Sequence, residues 1–370
     1  TKDAATNWNP VWSPDGRYLY FASDRSGNMN FWRVQIDQES GQALSEPEAI
    51  ITPSKFSRHL AFSRDGKRMI YVQTENRSNI QAAAFDASRG ELTGAPYWVT
   101  RGDREVLRPE LSSDGEMFVA RLARRTQDDI VLVKRDGTNW RDLTSDKYFD
   151  RYPRWSPDAK RIAFASDRSG GYEIWMINVD GTNLRRVTYD SPKEGTSFPV
   201  WSPDGTMLAF VSNRTADPDY NSNTDIWIIE AKPGAKERQL TTWTGSDDSP
   251  RWSPDGTKIA YTRSTSPDYI MYDQPVLCAI PAKGGEPTLL SAALDRPVSR
   301  PVWTADGQSV YALITDDRRR YIGQFSASTP KAPVKIAEEN RSISDLVAVQ
   351  TSGQTKTQLW AAIVSEPQLP

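Results

Sequence analysis

Short apolar runs separated by polar turns recur along the whole chain, and they recur in a fixed order. Between residues 150 and 188, alternating apolar and polar positions predict a strand over 152–156. An apolar run predicts a second strand over 161–165, alternation predicts a third over 172–179, and a short fourth follows over 184–188. The turns between them are Trp155-Ser156-Pro157-Asp158-Ala159, Asp167-Arg168-Ser169-Gly170 and Asp180-Gly181. Pro presets φ for a turn, Asp hydrogen-bonds the backbone just after it, and Gly accepts the positive φ that closes a tight hairpin. No amphipathic helical pattern runs beyond about two turns, so the pattern predicts an all-β chain.

The same anchor turn occurs seven times. Its aspartates are Asp15, Asp65, Asp114, Asp158, Asp204, Asp255 and Asp306, spaced 50, 49, 44, 46, 51 and 51 residues apart. That period matches propeller blades of four antiparallel strands. The prediction is a single β-propeller domain over residues 1–370: a lead-in over 1–7, seven repeats over 8–337, and closing strands or a partial extra blade over 338–370. Seven blades is the expectation, with eight as the alternative. An aromatic residue before the turn (Trp12, Phe62, Trp155, Trp201, Trp252 and Trp303) is expected to fill the wedge between blades. Ala159 replaces the turn glycine in repeat 4, which predicts a slightly different turn there. Trp8, Trp140 and Trp243 fall outside the anchor register and are expected at the surface.

Composition narrows the chemistry. The 370 residues are 37% hydrophobic and 25% charged, with a formal net charge of −2. No global basic field exists to recruit nucleic acid, and no apolar run is long enough to cross a membrane as a helix. The first residues, TKDAATNW, have neither a basic start nor an apolar core, so any signal peptide is expected to be absent or removed. The single Cys excludes an internal disulfide; Cys278 lies in an apolar strand and is expected to be an inert core thiol. One His, His59, excludes a multi-histidine metal centre, and no G-x-S-x-G, H-E-x-x-H or phosphate-loop motif is present. Asp217, Asp219, Asn221 and Asn223 place oxygens at alternate positions, which makes them a calcium candidate. An elongated polar turn is the competing reading, because the glycine and glutamate of an EF-hand are missing.

The W-S-P-D-G turn, followed by S-D-R-S-G and a third-strand triplet such as E-I-W, resembles the repeat of TolB-type propellers. It is similar to the propeller half of prolyl-oligopeptidase-type peptidases and to propellers of bacterial regulators and kinases. The resemblance spans roughly residues 8–337 and implies the propeller fold. TolB itself is expected to carry an α/β domain ahead of six blades, so seven anchors and no such segment depart from that pattern. Propeller lyases of pectin breakdown share the repeat but are expected to use several histidines.

In a propeller the first strand of each blade lines the channel, and ligands bind at its mouth. Six residues before each anchor aspartate stand Asn9, His59, Arg108, Tyr152, Phe198, Ser249 and Arg300. One residue earlier stand Trp8, Arg58, Leu107, Arg151, Ser197, Asp248 and Ser299. Arg58, His59, Arg108, Arg151, Tyr152, Phe198, Asp248 and Arg300 are therefore the candidate ligand-binding residues. These arginines either pair with aspartates of neighbouring blades or form an anion-binding mouth. The resulting expectation is a non-catalytic binding or sensing propeller, periplasmic or otherwise extracytoplasmic, with no cofactor. Its partner would be a protein, an acidic peptide or a small anionic ligand, and it would be a monomer or part of a larger chain. The alternative is the substrate-gating propeller of a prolyl-oligopeptidase-type peptidase whose hydrolase domain lies outside this chain.

Overall fold

The computed structural model describes residues 5–26, 29–50, 57–73, 77–82, 85–86, 91–92, 94–124, 127–189, 195–218, 221–265, 273–316, 319–337, 342–349 and 358–364. Among these residues there is no α-helix, and six four-stranded antiparallel sheets follow one another in chain order. Repeat 4 is representative: Asp150–Trp155, Arg161–Ser166, Glu173–Asn178 and Arg185–Arg186 form a meander in which each strand pairs with the next. The middle strands are buried on both faces. Ile162, Ala163, Phe164 and Ala165 are all fully buried, because neighbouring sheets cover both sides. This is why these strands read as unbroken apolar runs.

The chain forms two compact units. The first comprises residues 1–78, 102–105 and 124–126, and the second comprises 79–101, 106–123 and 127–370. The division runs through repeat 2, whose described residues form no four-stranded sheet. Its strands Ser57–Phe62 and Met69–Gln73 pair in the first unit, while Gln81–Ala82 and Tyr97–Trp98 pair in the second. In the second unit Ser342–Val349 and Gln358–Val364 form a hairpin, and the first of these strands packs against the sheet of repeat 7.

All seven anchors form the same turn. The hydroxyl of Ser13, Ser63, Ser112, Ser156, Ser202, Ser253 or Thr304 donates to the anchor carboxylate two residues later, at 2.5–2.6 Å. The same hydroxyl accepts the amide five residues on, at 2.9–3.0 Å, which pins the second strand to the turn. Six turns close on a glycine with φ between 66° and 75°. Ala159 does not make a different turn: it adopts φ 54° and donates the same 2.9 Å bond to the Ser156 carbonyl. Holding a Cβ in the left-handed region costs about 1–2 kcal/mol, which the rest of the turn absorbs.

Within the second unit the anchor tryptophans tie sheet to sheet. The indole N–H of Trp155 donates to the Glu110 carbonyl, Trp201 to Arg154, Trp252 to Val200 and Trp303 to Arg251, at 2.9–3.2 Å. Each bond runs to the first strand of the preceding repeat. The rings fill the intersheet cores; Trp201, for example, packs with Ala163, Ile174, Met176 and Phe210.

The S-D-R and E-I-W elements are explained by a second contact. Arg168 lies over the Trp175 ring at 5.1 Å, Arg214 over Trp227 at 4.1 Å and, in the first unit, Arg25 over Trp32 at 5.1 Å. In repeat 6 Cys278 occupies the tryptophan position, and Trp243 takes over by packing under Arg263 at 5.3 Å. Trp243 is therefore a half-buried packing residue and not a surface aromatic.

Candidate functional site

The first strand of a repeat does not pair evenly with the second. Register breaks between Trp8 and Val11, Arg58 and Leu60, Arg151 and Arg154, Ser197 and Val200, Asp248 and Arg251, and Ser299 and Val302. At each break one residue takes positive φ. These residues are Asn9, His59, Tyr152, Phe198, Ser249 and Arg300, and Arg108 in repeat 3 does the same, all with φ between 50° and 57°. They are the residues six positions before each anchor aspartate. Bulges re-aim a side chain out of the alternation of its strand. In six of the seven repeats a proline follows the bulged residue: Pro10, Pro109, Pro153, Pro199, Pro250 and Pro301. Proline has no amide to offer the ladder, so it suits the unpaired side of a bulge.

In the second unit the bulged side chains meet. The Arg108 guanidinium lies over the Tyr152 ring at 5.0 Å and the Phe198 ring at 6.0 Å, and the two rings are 4.2 Å apart. Three consecutive first strands therefore converge here. Arg108 is exposed, and no carboxylate lies within ion-pair distance of it among the described residues. Arg300 is exposed at the equivalent place in repeat 7. In the first unit the bulged pair Asn9 and His59 also meet, with Nδ2 of Asn9 3.4 Å from Nδ1 of His59.

The residues one position earlier behave differently. Arg151 turns to the buried Asp128, its Nε donating to Oδ2 at 2.5 Å, and lies over Phe149 and Tyr172 at 5.0 and 5.5 Å. Its guanidinium is committed to the blade. Asp248 is half-buried; its Oδ1 accepts the Ser249 amide, and burial pushes its carboxyl up against the opposing pull of that bond and of Arg251. Arg58 pairs through its backbone with Val72, and its side chain lies outside the described residues.

Four residues before the anchor aspartate the second unit carries Glu110, Arg154, Val200, Arg251 and Val302, a position that reading only the two earlier offsets passes over. Glu110 Oε2 accepts the Trp155 amide at 2.8 Å, and its Oε1 lies 4.0 Å from Arg154 Nη1. Burial pushes the Glu110 carboxyl up, although Arg154, the Trp155 amide and Arg251 all pull the other way. Charged residues at this offset in three repeats were a signal available in the aligned sequence.

The calcium candidate is a hydrogen-bonded turn in its described part. Asn221 Oδ1 accepts from Asn213 Nδ2 at 2.9 Å and from the Asn223 amide at 3.0 Å, while Asn221 Nδ2 donates to the Asp217 carbonyl at 2.8 Å. After an amide flip, Asn223 donates to the Trp243 and Gly245 carbonyls at 2.9 and 3.2 Å. Asp219 lies outside the described residues. Among the described residues no group of three or more His, Cys, Asp or Glu side chains could hold a metal, and no helix is long and apolar enough to cross a membrane.

Six four-stranded meanders in chain order, with a bulge in the first strand and, in repeats 4–7, an anchor tryptophan bonded to the preceding sheet, define a β-propeller protein. Residues 61–217 match the TolB beta propeller domain. An uncharacterized protein of Agrobacterium fabrum is 34% identical over 258 residues, covering 69% of this chain and 83% of that protein. The chain belongs to the TolB-type β-propeller family. It is 28% identical over 173 residues to a TolB homolog of Chlorobium luteolum and spans 36% of that protein's length. Among solved structures, an oligogalacturonate lyase in complex with manganese superposes with a TM-score of 0.51 at 18% identity, covering 86% of this chain and 88% of that one. That likeness is one of fold.

Proposed function

We propose that this chain is a non-catalytic binding propeller that takes an acidic peptide or an acidic loop of a partner protein at the cluster of Arg108, Tyr152 and Phe198. The observation that carries this reading is the contrast between two neighbouring arginines. Arg151 is neutralised by Asp128, whereas Arg108 is exposed, stacked on two rings and unpaired with any described carboxylate. A guanidinium placed over an aromatic ring still has N–H donors that can match a carboxylate with two parallel bonds. The rings add apolar area beside the charge, which suits a peptide better than a free inorganic anion.

Membership of the family supports a role in binding protein, and an extracytoplasmic, periplasmic setting belongs to the same proposal. The lone histidine is bonded to Asn9, and none of the catalytic motifs sought in the sequence accompanies it. The test is a binding titration of acidic and neutral peptides against the wild type, Arg108→Ala and the Arg108→Ala/Arg300→Ala pair. Acidic peptides should bind more tightly than neutral ones, bind more weakly as salt rises, and lose about tenfold with Arg108→Ala. Equal binding of both peptide classes, or an unchanged affinity in the double variant, refutes the proposal.

A further inference from the structure

Two buried carboxylates face each other where repeat 5 meets repeat 6. Asp225 opens the third strand of repeat 5, Asp225–Glu230, and Asp247 opens the first strand of repeat 6, Asp247–Trp252. Asp225 Oδ1 accepts the Thr241 hydroxyl at 3.1 Å, and its Oδ2 accepts Gln239 Nε2 at 2.8 Å. Asp247 Oδ1 accepts Arg263 Nε at 3.0 Å, and its carboxylate also lies within reach of the Thr241 hydroxyl. The charge of Arg263 acts on both carboxylates. The other titratable neighbours are Tyr261 and Cys278, on the second and third strands of repeat 6. Burial pushes both up, so the phenol and the thiol stay protonated.

The preceding junction is built differently. Glu173 stands at the matching register position of repeat 4, opposite Ser166 as Asp225 is opposite Ser212. It accepts both the Thr188 hydroxyl and the Arg186 guanidinium, and the first strand of repeat 5 begins with the neutral Thr196. In repeat 5, Gln239 takes the place of Arg186, since each pairs with the tryptophan two residues after the carboxylate. Asp225 therefore has an amide where Glu173 has a guanidinium, and a carboxylate for a neighbour where Glu173 has a hydroxyl. Burial pushes the Asp225 carboxyl up to about 6, the Thr241 hydroxyl opposes this, and the Asp247 charge adds to it. Burial also pushes Asp247 up, against the pull of Arg263.

The bonds that tie the two repeats together flank this pair. The carbonyl of Thr224, next in the chain to Asp225, accepts the Asp247 amide at 2.7 Å, and the Thr224 and Ser246 hydroxyls are 2.8 Å apart. After an amide flip, Asn223 donates to the Trp243 and Gly245 carbonyls. With Asp225 neutral the pair carries one negative charge, which Arg263 balances. With both carboxylates charged, two buried like charges share one guanidinium and one hydroxyl proton, and separating the strands to admit water relieves the repulsion. We propose that the Asp225–Asp247 pair is a proton-operated latch: Asn223 and Thr224 stay docked on Trp243–Asp247 while the pair holds a proton, and release when both carboxylates are charged. The latch is closed at acidic pH and opens as pH rises. It sits at the sheet end that carries Phe198, because Thr196, Ser212 and Asp225 form one cross-strand row.

Amide hydrogen exchange of the whole chain tests the latch, with each rate referred to that of an unstructured peptide at the same pH. The Asp247 amide reports on the latch. The Thr196 amide, which makes the equivalent 2.7 Å bond to the Tyr172 carbonyl at the preceding junction, is the internal control. With the docked Asp225 carboxyl at about 6 and a solvated one at about 3.9, protection at Asp247 should fall about tenfold between about pH 5 and about pH 7.5. Protection at Thr196 should stay nearly constant. Asp225→Asn should keep Asp247 protected at both pH values. Gln239→Arg, which restores the arginine of repeat 4 at an exposed position, should do the same with the carboxylate intact. Protection at Asp247 that does not change with pH in the wild type, an equal loss at Thr196, or a loss that persists in either variant overturns the latch.

Discussion

Trp201 and Trp227 belong to the same sheet, yet the structure assigns them unequal responses to the same change. The Trp201 indole N–H donates to the Arg154 carbonyl of the preceding sheet at 3.2 Å, and the residue is 7% exposed. Trp201→Phe removes that donor, while the Arg154 carbonyl keeps its place in the ladder opposite Ala163. A lost hydrogen bond costs about 0.5–1.5 kcal/mol, so a loss of about 1 kcal/mol is expected. The Trp227 N–H is buried with no hydrogen-bond partner among the described residues. Trp227→Phe deletes an unsatisfied donor, which is favourable, and keeps a ring under Arg214, whose guanidinium lies 4.1 Å from it. Phenylalanine is the weaker cation–π partner, and the whole contact is worth about 0.5–1 kcal/mol or somewhat more, so the two effects oppose each other and the net cost should be smaller than that of Trp201→Phe. Urea denaturation of the whole chain, followed by circular dichroism, reads both variants through the shift in midpoint. If Trp227→Phe costs as much as Trp201→Phe, the ring volumes and not the indole bonds hold the sheets together, and the reasoning is refuted.

Three further outcomes follow from the repeat chemistry. Ser202→Ala removes both the bond to Asp204 and the acceptor for the Met207 amide, and should cost about 1–2 kcal/mol at neutral pH. The Ser202 hydroxyl and the Thr206 amide hold the Asp204 carboxyl below its ordinary value, so this stability is present above the unfolded carboxyl range and fades as pH falls through the folded value. Acid titration should therefore narrow the gap between wild type and Ser202→Ala as pH falls below about 4, leaving the share that the Met207 amide bond contributes, and a gap that stays constant refutes the assignment. Asp225 behaves oppositely. Burial pushes its carboxyl up to about 6, the Thr241 hydroxyl opposes this, and the Asp247 charge adds to it. Its penalty is absent below the unfolded value and complete above the folded one, so stability should fall between about pH 4 and pH 6, by about 2–3 kcal/mol for this group. Asp225→Asn should flatten that slope in denaturation midpoints measured across the window; Asn30 already stands at the matching register position of repeat 1. Cys278 is fully buried and its thiol is pushed up to about 12 by burial, so a thiol reagent should label the native chain far more slowly than the unfolded one. Comparable rates would show that repeat 6 opens readily.

How much could be read without the fold follows from the range of each interaction. Strand order, turn positions and the period were legible because they depend on residues within about ten positions of one another. The Ser–Asp anchor bonds span two residues, and the strands observed in repeat 4 fall within two residues of those its apolar runs predict. The family was legible for the same reason, since a local motif repeated seven times is a strong signature. Alignment of the repeats also selected the bulged positions, although the proline after six of them was the stronger clue to backbone geometry.

Which charges are neutralised depends on contacts that no offset encodes. Arg151 reaches Asp128, 23 residues away, whereas Arg108 stacks on rings 44 and 90 residues away. Both arginines sit at adjacent offsets and look alike in the sequence. The separation of Arg108 as an open cation, the pairing of Glu110 with Arg154 in the next repeat, and the substitution of Trp243 for the tryptophan that repeat 6 lacks were decided only in three dimensions. The sequence alone determined the repeating backbone, because local sterics and hydrogen bonds specify turns and strands. Tertiary structure decided which side chains remain available to a ligand, because that depends on which partners the stacked sheets bring within a few ångströms.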